Sequence, residues 1–124
     1  MTADELVEPY EQNPVAAASR FDGKMVEVTG TLREFETINA CSDGKERAKL
    51  YACASYPAAR LNIREEGQWM FGRSVCCFNP TDDPVEKESL SRIERGQQVR
   101  VRGVVAGFAA YATSVVLYDC SIRL

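Results

Sequence analysis

The sequence predicts a mainly β protein with helices: a small closed barrel of five strands, preceded by a helical segment. Three observations predict it. Lys24-Met-Val-Glu-Val-Thr-Gly30 and Gln98-Val-Arg-Val-Arg-Gly103 are both runs of period two that reach a glycine, and that period sends alternate side chains to opposite faces of a strand. Strand character recurs at 58–64, 69–78 and 114–123. Helical spacing is confined to two places, ahead of the first strand and between the third and the fourth.

Residues 3–20 read as helix, with Leu6 and Tyr10 followed by Val15, Ala18 and Phe21 at helical spacing. Asn13-Pro14 divides it, because Asn caps the turn that follows and Pro suits a first helical position. Asp22-Gly23 turns the chain into a long strand from Lys24 to about Glu36, with Val26, Val28 and Leu32 inward. Gly30 would weaken an ordinary strand, so it marks a bulge or a bend at a barrel corner. Residues 37–57 lose the alternation and form a long insertion between the first two strands. Within it, Lys45 to Ala54 reads as an extra ribbon after the Ser42-Asp43-Gly44 turn. Ala58–Arg64 and Trp69–Phe78 then make a hairpin about the turn 65–68. Thr81-Asp82-Asp83-Pro84 starts a helix with Val85, Leu90 and Ile93 as its apolar stripe, closed by Arg95-Gly96. The last two strands, Gln98–Ala106 and Ser114–Arg123, flank the small-residue loop 107–112.

At 124 residues with 45% apolar content, the chain reads as a single domain spanning 1–124. The 15 basic and 18 acidic residues leave a net charge of −3, which disfavours a surface that attracts phosphate backbones as a whole. There is no His, which excludes triads, imidazole zinc sites and proton shuttles that need it. No apolar run is long enough for a transmembrane helix, and no leader peptide is evident at residues 1–4. None of the five cysteines forms a Cys-x-x-Cys pair, so zinc-ribbon and thioredoxin-like readings fail on spacing. Cys41 and Cys53 bracket the loop-like insertion, where a bridge closing a loop of about 13 residues would contribute roughly 3 kcal/mol and imply an oxidising compartment. Cys76, Cys77 and Cys120 lie in strands, where a buried thiol acts as a small hydrophobe.

Three strands, a helix and two strands is the order of the OB-fold, a five-stranded Greek-key barrel with its helix between strands three and four. The segments Tyr10-Glu-Gln-Asn13, Phe21-Asp-Gly-Lys24, Val26-Glu-Val-Thr-Gly30, Val75-Cys-Cys-Phe78, Gly96-Gln-Gln-Val99 and Val116-Leu-Tyr-Asp-Cys120 resemble the bacterial tRNA_anti-like OB-fold family. The resemblance covers most of the chain outside 37–57. It implies kinship with lipoproteins and membrane-tethered proteins of unassigned activity, with any lipid tether lying outside this chain. It also implies a Cys76–Cys120 bridge between neighbouring third and fifth strands, leaving Cys77 unpaired.

OB-folds bind across strands two and three, between the loop joining strands one and two and the loop joining strands four and five. In the first of these regions stand Lys45, Arg47, Lys49 and Tyr51; near or on strands two and three stand Tyr56, Arg60, Trp69 and Arg73; in the second loop stand Phe108 and Tyr111. Cations beside aromatic rings suit a single-stranded nucleic acid, although core packing and solvated edge charges use the same residues. The expectation is a non-enzymatic binding module, periplasmic or envelope-tethered, that engages a protein or other ligand through the insertion and the 107–112 loop. Its alternative is a cytoplasmic single-stranded nucleic-acid binder. No catalytic residue, cofactor or metal site is expected, and an enzyme is the weakest of the three readings.

Overall fold

The computed structural model describes residues 1–38, 56–65 and 73–123. Strands β1 (Met25–Ile38), β2 (Ala58–Arg64), β3 (Ser74–Pro80), β4 (Gln98–Ala109) and β5 (Ser114–Arg123) close into a barrel in the order β1-β2-β3-β5-β4. Every pairing is antiparallel except β3 with β5. This is the expected OB-fold barrel. Helices α1 (Ala3–Gln12) and α2 (Pro14–Phe21) precede it, and α3 (Pro84–Leu90) joins β3 to β4.

The two glycine-ended runs prove to be each other's partners: Val26 pairs with Gly103 and Gly30 with Val99. Gly30 sits where β1 leaves β4 and begins to pair with β2. A Cβ there would come within 2.6 Å of Ile63 Cγ2 and 2.8 Å of the Arg64 carbonyl oxygen, so the site needs glycine for close approach. The register shift of β1 falls beyond it, between Leu32 and Glu34.

Alternation along β3 sends Val75 and Cys77 into the core and Cys76 and Phe78 to a second cluster outside it. On β5, Val115 and Leu117 also face the core, and unbroken alternation would continue inward at Asp119. Instead Asp119 takes a left-handed φ of 52° and is exposed, while Cys120 and Ile122 turn inward. Tyr118 pairs with Val104 and Ser121 with Arg102, so two residues of β5 oppose Gly103 alone, which is a β-bulge. The expected Cys76–Cys120 bridge is therefore not formed: the two cysteines stand on opposite faces of the barrel wall. The Cys41–Cys53 pairing and the 45–54 ribbon lie outside the described residues.

Thr2 and Glu5 form a reciprocal capping box at the start of α1, and Asn13 caps α2 with Pro14 at its first turn. Ala3, Leu6, Val7 and Tyr10 join the core, so α1 closes one end of the barrel rather than lying along its side. Val15, expected inward, is 77% exposed, and Ala17 and Phe21 make the contact of α2. In α3 the phase also differs from expectation. Val85 faces solvent, and Glu86 turns inward to accept hydrogen bonds from Asn79 Nδ2 (2.7 Å) and the Ile122 amide (2.8 Å). Leu90 and Ile93 reach the core as predicted, Ile93 from the turn beyond the helix.

Candidate functional site

The two regions expected to bind are held at opposite ends of β3. Ile38 and Ala58, the roots of the insertion, lie at the Pro80 end, whereas Ser114 pairs with Ser74. The expected 107–112 loop is shorter than read, because residues 107–109 continue β4 in pairing with β5 and only Ala110–Ala112 and Thr113 make the connection. Six residue steps of strand separate those ends by about 20 Å. Between them the outer face of the sheet carries an apolar cluster of Ala58, Cys76, Phe78, Ala106, Ala109 and Val116, all buried.

The expected contact residues with described side chains are engaged within the protein. Tyr56 donates its hydroxyl to the Phe78 carbonyl (3.1 Å) and accepts from the Asp119 amide, satisfying the bulge; burial pushes its phenol well up. Arg60 is ion-paired with Glu36, its cross-strand partner. Arg73 is bound by Glu11, with Asp4 at 3.7 Å and Glu8 at 3.9 Å, and the Glu11 hydrogen bond raises its guanidinium further. Phe108 is half-buried and stacked on Tyr10, with ring centroids 5.5 Å apart. Tyr111 belongs to a 3-10 turn at Ala110–Ala112, and its side chain is outside the description. Lys45, Arg47, Lys49, Tyr51 and Trp69 lie outside the described residues.

A site that the sequence did not single out opens where the insertion meets the barrel. The inner face of β1 and β2 runs to the edge of the core as Phe35, Thr37 and Ala59, and Leu90 and Ile93 face it from the α3 side. Together with Thr81, Lys87 and Ser91 they line a cleft of about 440 Å³. That volume is within the range of small-molecule sites, and the lining follows their usual form of an apolar wall with a few polar groups. Arg95 holds one wall in place by donating to the Phe35 carbonyl at 3.2 Å. Arg92, by contrast, is paired with Glu88 on the neighbouring surface, at 2.6 Å. Lys87 stands at the cleft with no carboxylate partner among the described residues. Leu90 and Ile93 were legible as an apolar stripe. Nothing in the sequence distinguished Lys87 from any other helix-surface lysine.

An OB-fold barrel with an apolar cleft beside its α3 end is thus the class of protein defined here, and the comparisons with known proteins agree on the fold. The tRNA_anti-like family model matches residues 1–43, which hold α1, α2 and β1. No curated protein matches. A crystal structure from Klebsiella pneumoniae subsp. pneumoniae, described as a "putative nucleic acid-binding lipoprotein", superposes with a TM-score of 0.71 at 15% identity, over 100% of this chain and 92% of that one. The resemblance of this chain to tRNA_anti-like OB-fold proteins is borne out by these two findings.

Proposed function

We propose that this protein is a non-enzymatic OB-fold binding module of the periplasm or cell envelope, and that its ligand enters the cleft between β1, β2 and α3. The observation that carries this reading is Lys87, a cation without an acidic partner among the described residues, lining a cleft whose apolar wall of Phe35, Ala59, Leu90 and Ile93 is joined by three hydroxyl side chains. A ligand with an apolar body and a carboxylate or carbonyl head matches that pattern, with Thr37, Thr81 and Ser91 as hydroxyl partners. The 37–57 insertion remains part of the proposed surface, because its two roots adjoin the cleft. Envelope residence is supported by the Klebsiella protein being called a lipoprotein; no helix among the described residues is long and apolar enough to cross a membrane.

Titration with decanoate as the probe tests the site. Amide shifts should appear at Ala59, Lys87 and Ile93, and Lys87→Ala should weaken binding by up to about fivefold, as loss of one solvent-exposed ion pair does. Shifts scattered away from the cleft, or equal affinity in the variant, would overturn the assignment.

A second reading, binding of single-stranded nucleic acid, draws on Arg100 and Arg123. They are direct cross-strand partners on β4 and β5 with Arg102 beside them, all exposed. Like charges placed opposite one another destabilise a sheet; Glu27, cross-strand from Arg102 and 3.9 Å from Arg100, offsets part of that repulsion, and a phosphate would relieve more of it. The description of the Klebsiella protein supports this reading, and the net charge of −3 opposes it. A labelled single-stranded 12-mer at low salt decides it, since the absence of binding there removes the reading.

A further inference from the structure

Cys77 on β3 and Cys120 on β5 meet inside the barrel, where their side chains are hydrogen-bonded to each other. Their exposures are 0% and 1%. Three features of the fold bring them together. Alternation on β3 turns Cys77 inward while Cys76 goes out. The bulge at Asp119 reverses the phase of β5 and turns Cys120 inward, and the Tyr56 hydroxyl holds that bulge by accepting the Asp119 amide. Gly103 makes room for the second sulfur, because a Cβ there would lie 2.5 Å from Cys120 Sγ.

We propose that Cys77 and Cys120 form a disulfide between β3 and β5 when the chain folds in an oxidising compartment, and that the dithiol seen here is the reduced half of that couple. A small-molecule or protein disulfide is the oxidant. It first forms a mixed disulfide with one of the two cysteines, releasing one thiol; the thiolate of the other then attacks that cysteine's sulfur and releases the second thiol. In total, two protons and two electrons pass from the protein cysteines to the sulfurs of the oxidant. Burial, with the hydrogen bond from Cys120, pushes the Cys77 thiol far up. Exchange therefore requires an open barrel, and the bridge forms during folding rather than in the folded dithiol. Cys76 is excluded as a partner by its place outside the barrel wall beside Phe78 and Val116. The bridge does not depend on what the cleft binds.

Peptide mapping after refolding in an oxidising glutathione buffer tests the proposal, preferably in a Cys41→Ser, Cys53→Ser background. The linked peptide should contain Cys120, and fragmentation between Cys76 and Cys77 should place the link on Cys77. Oxidation should lower the intact mass by about 2 Da for one two-electron bridge, and should raise Tm by about 10 °C through closure of a long loop. Cys76→Ala should retain the link and Cys77→Ala should lose it. A Cys76–Cys120 link would overturn the proposal, as would protein that refolds in that buffer with Cys77 and Cys120 still free. Mapping of the wild-type pair decides between these results even if Cys77→Ala does not fold.

Discussion

At the end of the barrel where β3 begins, α1 seats Leu6, Val7 and Tyr10 in the core, and Tyr10 stacks between Phe21 and Phe108. At the end where β3 finishes, α3 brings Leu90 but turns Glu86 inward as well, and a cleft stays open beside it. The difference follows from the helices themselves. A ten-residue helix with four buried side chains covers the barrel mouth, whereas a seven-residue helix with one buried apolar side chain cannot. The shorter helix is fixed by hydrogen bonds to a buried carboxyl, and packing is left incomplete next to the insertion roots. Open, concave surface therefore collects at the thinly covered end.

Removing Glu86 should break that difference with the largest effect. In Glu86→Ala, the buried Asn79 amide and the Ile122 N–H lose their acceptor, at a cost of about 3 kcal/mol in denaturant unfolding. Glu86→Gln keeps an acceptor oxygen and should recover part of the loss. An unchanged midpoint in Glu86→Ala would mean that α3 is held by Leu90 and Ile93 alone. At the other end, Tyr10→Phe deletes the 2.6 Å hydrogen bond to Asp22 and leaves the ring stack in place. Its expected cost is about 1 kcal/mol, and a loss as great as that of Glu86→Ala would show that the α1 end also depends on polar anchoring.

Strand order, the helix starts and the glycine corners were legible because each is encoded locally, in alternation, in caps such as Asn13 and Asp83, and in residues that few alternatives can replace. The phase of single elements was less legible. Val85 is apolar and was read as inward, yet hydrogen-bond donors waiting on Asn79 and Ile122 select Glu86, and those donors come from β3 and β5. The facing of Cys120 depends on a bulge that forms only when Gly103 of another strand stands opposite. The candidate site was the least legible part. Tyr56, Arg60, Arg73 and Phe108 have the right chemistry for binding, and tertiary partners absorb each of them, while the cleft exists only as a gap between β1, β2 and α3.

The smallest effect expected is at Asp4, and its sign runs against the usual behaviour of an ion-paired carboxylate. Asp4 lies near Arg73, but burial and the neighbouring Glu65 outweigh that attraction and hold its carboxyl above the ordinary value of 3.8. A group whose pKa is raised by folding binds its proton more tightly in the folded state. Between 3.8 and that raised value the folded protein therefore carries more protons at Asp4 than the unfolded chain, and stability falls as pH rises through the window. Asp4→Asn removes this dependence while keeping the shape of the side chain. Thermal melts of the two proteins should show the variant gaining on the wild type as pH rises from about 4 to 7, with its advantage complete once Asp4 is ionised in the folded state. If the wild type gains instead, attraction to Arg73 dominates at Asp4, and the α1 end is held by charge as well as by packing.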